Sequence, residues 1–144
     1  MKRASIVILM ICAATMSFAQ VKMWVDASEK LWDHPRDEVV GNLHHLWEQR
    51  WAMIDNTFEE VITYMNNPHE STELYFRHDQ LVMINHFFYD KDDTLDKFAE
   101  IAKQELGEPT GQFTNTWLTP KSIVSLKEAR GSYVCLNIKE KDIE

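Results

Sequence analysis

Two strand-like runs, Thr72 to Arg77 and Gln80 to Asp90, meet at His78-Asp79, where a two-residue hairpin turn belongs. Asn-Gly would signal such a turn more strongly than His-Asp does. A tight turn at this point sets Phe76 opposite Leu81, Tyr75 opposite Val82 and Leu74 opposite Met83. Both faces of the hairpin then carry apolar side chains. Strands of that kind predict a sheet covered, at least in part, on both sides. The rest of the chain has to supply the cover.

Helical periodicity supplies it in two places. Asp33-His34-Pro35 is a helix start, with Pro35 suited to the first helical position and Asp37 and Glu38 in the first turn. Val39, Val40, Leu43, Leu46, Trp47, Trp51 and Ile54 then recur at spacings of three and four, which predicts a helix from about residue 35 to about residue 51. Gly41 weakens it by about 1 kcal/mol relative to Ala. The second helix is capped by Asp93 or Thr94, lined by Leu95, Phe98, Ala99, Ala102 and Leu106, and stopped by Gly107 and Pro109. Residues 20–32 read as a short strand and a helical turn. Val61-Ile62-Thr63-Tyr64 is rich in branched and aromatic residues, so 57–66 reads as a strand, although its apolar residues also fit helical spacing. Three short strands close the chain, near Thr116-Trp117-Leu118, from Ser122 to Lys127 and from Ser132 to Lys139. The expected fold is α+β. An antiparallel sheet of about four to six strands carries two main helices, in the order helix, strand, hairpin, helix, three-strand meander.

The first nineteen residues stand apart. Lys2 and Arg3 form a positive start, an apolar stretch follows to Ala14, and Ser17-Phe18-Ala19 places small residues where a signal peptidase reads. The expectation is a leader over 1–19, cut between Ala19 and Gln20, and a single α+β domain over 20–144, exported to the periplasm or secreted. The leader's apolar run is shorter than the roughly 20 residues a bilayer crossing requires, so no membrane insertion of the mature chain is expected. Cys12 follows Leu9-Met10-Ile11, but Ile11 is bulky where a lipid-attachment signal has a small residue, so simple cleavage is preferred to lipidation.

Losing Lys2 and Arg3, and no acid, takes the formal charge from −8 to −10. Such a surface repels phosphate backbones, which argues against nucleic acid as a partner. Cys135 is then the sole cysteine, so no internal disulfide is expected. Its strand-like surroundings suit a buried apolar thiol, with an intermolecular disulfide as the alternative.

Leu81-Val82-Met83-Ile84 before an aromatic strand, a helix ending Glu105-Leu106-Gly107-Glu108-Pro109, the lone Trp117 and Ile123-Val124-Ser125-Leu126 follow one another in a familiar order. Over about residues 57–139 the pattern resembles small exported bacterial α+β modules of the beta-lactamase-inhibitor-like and outer-membrane assembly lipoprotein kinds. That resemblance implies a helical layer on an antiparallel sheet, no catalytic site, and action through protein partners. The missing lipid-attachment signal departs from the lipoprotein members.

The chemistry-bearing residues form no recognised catalytic pattern. His45 and Glu48 share a helical face in the expected helix, but two ligands do not make a metal site. Asp90-Lys91-Asp92-Asp93 lacks the Gly and Glu positions of a calcium loop. There is no nucleophile elbow, phosphate loop or dinucleotide fingerprint, so no metal, cofactor or catalytic residue is assigned. Trp24, Trp32 and Trp117 lie in less regular segments and are the candidate exposed binding aromatics. The leading expectation is a non-catalytic exported binding or adaptor domain with a protein partner. The alternatives are a small hydrolase or isomerase with a pocket lined by His86 and Tyr75 or Tyr89, and a carbohydrate-binding module using the three tryptophans.

Overall fold

The computed structural model describes residues 21–32, 34–40, 48–51, 58, 60–67, 70–89, 95–110, 113–129 and 133–141. The expected leader, His44, His45, Trp47 and Asp90 to Thr94 lie outside the described residues. Three helices are described: α1 Val21–Glu29, α2 Arg36–Val40 and α3 Leu95–Leu106. The strands are β1 Glu48–Trp51, β2 Glu60–Asn67, β3 Glu70–Arg77, β4 Gln80–Tyr89, β5 Thr116–Leu118, β6 Ser122–Ala129 and β7 Tyr133–Glu140.

The hairpin forms as its sequence requires. His78 and Asp79 both take positive φ, 52° and 63°, as a two-residue turn matched to strand twist demands. Phe76 pairs with Leu81 as expected, but the next pairs are Tyr75 with Met83 and Leu74 with Ile84. Val82 is an extra residue, a β-bulge, and it moves the register by one.

All seven described strands join one antiparallel sheet in the order β1-β2-β3-β4-β7-β6-β5. The chain leaves β4, crosses through α3 to the far edge at β5 and returns, so β7 closes against β4. One sheet face carries Ile62, Thr72, Leu74, Phe76, Ile84, His86, Phe88, Val124, Leu126, Val134, Leu136 and Ile138, all buried. Helices α1 and α3 pack on each other and on this face, and α2 packs near β4.

The N-terminal segment is a helix, where the sequence reading had a strand and a turn. Val21, Trp24, Val25 and Ser28 mark one buried helical stripe. Ser28 hides the pattern because it is polar, yet its hydroxyl donates to the Trp24 carbonyl at 2.7 Å and so can sit inside. The expected helix over 35–51 is also corrected. Helix α2 ends at Val40, one residue before Gly41, and Glu48–Trp51 is a strand paired to Val61–Tyr64. The backbone partners offered by β2 override the helical spacing there. Glu48 therefore shares no helical face with His45. By contrast, α3 and the last three strands lie where the sequence puts them, with Gly107 at φ 89° ending α3.

Two side chains in left-handed conformations burden the β3–β4 turn. Replacing His78-Asp79 with Asn-Gly is expected to raise stability by about 1 kcal/mol, read as a higher urea midpoint at unchanged slope.

Candidate functional site

The expected exposed tryptophans are all in the core. Trp24 is 0 %, Trp32 3 % and Trp117 1 % exposed, so none of them offers a stacking platform. Each indole has a structural task instead. The Trp32 Nε1–H donates to Ser122 Oγ at 3.0 Å, fastening the end of the α1 segment to β6. The Trp117 Nε1–H donates to the Gly107 carbonyl at 2.8 Å, tying β5 to the end of α3. Trp24 stacks on His86, with ring centroids 4.2 Å apart and planes inclined by 26°.

His86 is fully buried on the helix-covered face. Its Nδ1 lies 3.0 Å from Thr72 Oγ1, and its other face meets Phe88 at 5.6 Å. Nε2 has no hydrogen-bond partner. Burial pushes the imidazole down to about 3. Tyr75 points to the opposite side of the sheet. The pocket expected to join His86 with Tyr75 is therefore not formed, because the sheet itself separates them.

That opposite face holds the chemistry that the sequence did not display. The register places Gln49, Thr63, Glu73, Asn85, Asn137, Ser125 and Thr116 side by side, one from each strand. They form a polar rung running across the sheet. At its centre the Tyr75 hydroxyl donates to Glu73 Oε1 at 3.0 Å. Asn85 Nδ2 reaches Glu73 Oε1 and the Tyr75 hydroxyl, both at 3.3 Å, and Asn137 Nδ2 donates to Asn85 Oδ1 at 2.6 Å. The adjacent rung is largely apolar: Trp51, Val61, Tyr75, Met83, Lys139, Ile123 and Leu118 occupy its register positions. Tyr75, Met83 and Ile123 are half-buried, and Leu118 at the sheet edge is 50 % exposed. The Phe58 ring stands edge-on to Tyr75 at 4.9 Å.

Burial sets the electrostatics of this face. Burial, reinforced by the Glu73 charge, pushes the Tyr75 phenol up, so it remains a neutral donor. Burial also pushes the Cys135 thiol up to about 11, against a smaller opposing pull from Lys127. A reactive cysteine needs the reverse shift. Among the described residues no group of three or more His, Cys, Asp or Glu side chains could hold a metal ion, and no described helix is long and apolar enough to cross a membrane. Compared with known proteins, the chain matches no family model, no curated protein and no solved structure.

Glu73, Asn85 and Asn137 were missed by sequence reasoning. Asn137 alone gave a signal, a single polar residue between Leu136 and Ile138; Asn85 stands beside His86 and Glu73 follows Ser71-Thr72, so neither stood out. Only the register shows that the three meet.

Two outcomes follow from these contacts. Alkylation of the native chain at pH 8, read on the Cys135 peptide by mass spectrometry, is expected to run roughly 100-fold slower than in the urea-unfolded chain, since burial removes both thiolate and access. Asn85→Leu strands the Asn137 amide and removes one partner of Glu73. It is expected to cost about 1–3 kcal/mol of unfolding free energy.

Proposed function

We propose that this chain is an exported, non-catalytic binding domain that takes a protein partner on the face of its sheet opposite the helices. The observation that carries the reading is the pair of neighbouring rungs. Tyr75, Met83, Ile123 and Leu118 offer the aromatic, Met-containing apolar surface that interface cores favour. The Glu73–Asn85–Asn137 row beside it offers fixed donors and acceptors. Groups already held by one another lose little freedom on binding, which improves affinity without added area.

Three further points support the reading. On this face burial holds the Tyr75 phenol and the Cys135 thiol in their protonated, unreactive forms. His86 and Tyr75 stand on opposite sides of the sheet, which disfavours the hydrolase or isomerase alternative. The three tryptophans are buried, which removes the surface on which the carbohydrate alternative rested. The resemblance to exported modules that act through protein partners points the same way. Export itself rests on the leader over residues 1–19. A cut after Ala19 falls before Val21, so the shortened chain keeps every described core residue.

A photo-activated crosslinking residue placed at Met83 or Ile123 tests the face directly, with Glu100 on the exposed side of α3 as control. In the exporting cell, adducts of protein mass are expected at the two sheet positions and not at Glu100. Equal adducts at all three positions, or none at Met83 and Ile123, overturn the reading. N-terminal sequencing of the released chain is expected to begin at Gln20; an uncut Met1 start sinks the export proposal.

A further inference from the structure

His86 lies where three elements meet. Trp24 of α1 covers one side of its ring, Phe88 of β4 the other, and Thr72 of β3 is its only hydrogen-bond partner among the described residues. Leu136 of β7 is its cross-strand neighbour, and Phe98 of α3 packs edge-on against Phe88 at 4.2 Å. One charged group shares this face close by: Glu70 of β3, opposite Phe88 and one residue pair beyond Thr72–His86, and it makes no hydrogen bond to the ring. Lys22 and Asp26 of α1 and Asp96, Lys97 and Glu100 of α3 are exposed, and Glu73 of β3 lies across the sheet. With either neutral tautomer, Thr72 satisfies Nδ1 and Nε2 remains unpaired. An imidazolium would need acceptors at both nitrogens, and only one is within reach.

The charged ring has an easy escape, because the lid over it is a separate element. Among the described residues, the ends of helix α1 are held by Lys22 N–H to Glu105 Oε2 at 2.8 Å, Thr119 Oγ1–H to Glu29, and the Trp32 indole to Ser122. The sheet beneath is closed by its own backbone ladders and does not depend on α1 for its hydrogen bonds.

We infer that His86 is an acid-sensitive latch for α1: the helix docks only over an uncharged imidazole, and protonation releases it from the sheet. The direction follows from the depressed folded value. Above about 6.5 the ring is neutral whether α1 is docked or released, and docking has its full strength. As pH falls below that, the released form binds a proton that the docked form refuses until about pH 3. Docking therefore weakens about tenfold for each pH unit through that window.

Native-state hydrogen exchange of the full chain at pH 7.5 and pH 4.5, corrected for intrinsic rates, tests the latch. The opening equilibrium of the α1 amides is expected to rise about 100-fold at pH 4.5, ahead of the β4 and β7 amides. His86→Phe keeps a ring between Trp24 and Phe88 and is expected to abolish most of that rise. The carboxylates near the latch, Glu70, Glu105 and Glu29, are common to both chains, so the difference between the chains reads His86 alone. The inference is overturned by α1 opening that is unchanged at pH 4.5, by α1 and β7 opening equally, or by an undiminished rise in His86→Phe. Should that variant not fold, an NMR titration of the wild-type ring decides: a docked His86 that protonates near its ordinary value defeats the latch, and one still neutral at pH 4.5 supports it.

Discussion

The contact between Trp24 and His86 sets how the helical layer meets the sheet. The largest aromatic of α1 lies flat on the one titratable side chain in the middle of the apolar sheet face. Around it the core is conventional, with Leu, Ile, Val and Phe from five strands meeting α1 and α3. A neutral imidazole fills such a site much as a phenyl ring would, with one hydrogen bond to Thr72 and one nitrogen left unpaired. The helix is then positioned by tethers at its margins, each a single hydrogen bond to a loop, a helix or a strand. Packing supplies the attraction and the tethers supply the register.

The sheet divides its labour between faces. One face is sealed by helices. The other carries two rungs, one polar and one largely apolar; Tyr75, Met83, Ile123 and Asn137 are half-buried there, while Val61 and Asn85 are buried. Its β5 edge is managed as well: the Thr110 amide donates to the Thr116 carbonyl at 2.8 Å, and the Leu118 amide donates to Thr110 Oγ1 at 3.0 Å. A loop thus occupies backbone groups through which another strand could add, which protects this edge from pairing. Charge works in the same direction, since an acidic chain resists its own aggregation. On α2, Arg36 makes a two-pronged contact with Glu60 that anchors the helix to β2 and raises the guanidinium affinity for its proton, chiefly through that hydrogen bond.

What could be read from the sequence depended on how local the deciding interaction was. Helix α3 announces itself by spacing and a glycine stop, and the closing strands by their turns. The hairpin turn was legible because two residues suffice to specify it. The bulge at Val82 was not, since only pairing along the whole hairpin selects it. Helix α1 was obscured by Ser28, whose polarity is satisfied within its own turn. The Glu48–Trp51 segment carries helical spacing but is claimed by a distant strand. The tryptophans misled for a related reason: their segments looked irregular, and irregular segments look exposed, yet each indole N–H or ring found an internal partner. The polar row on the face opposite the helices was the least legible part. Glu73 and Asn137 are far apart in sequence, and an odd polar residue in an apolar strand gains meaning only from its neighbours in other strands.

The single extra residue at Val82 carries more than a local kink. Side chains alternate between faces along a strand, so the count of residues between the turn and Ile84 decides which half of β4 is interior. With Val82 present, Ile84, His86 and Phe88 turn toward the helices while Met83, Asn85 and Phe87 turn outward. Pair the same residues without the bulge, Tyr75 with Val82 and Leu74 with Met83, and the two sets trade places: an amide would face Trp24, and the imidazole would join Glu73 on the other side. The identity of the inner and outer surfaces is thus stored in a parity, odd or even, rather than in any one contact. Losing the bulge while Val82 stays would exchange the two sides of β4 at a stroke, as a mirror does, whereas most substitutions there only roughen one of them.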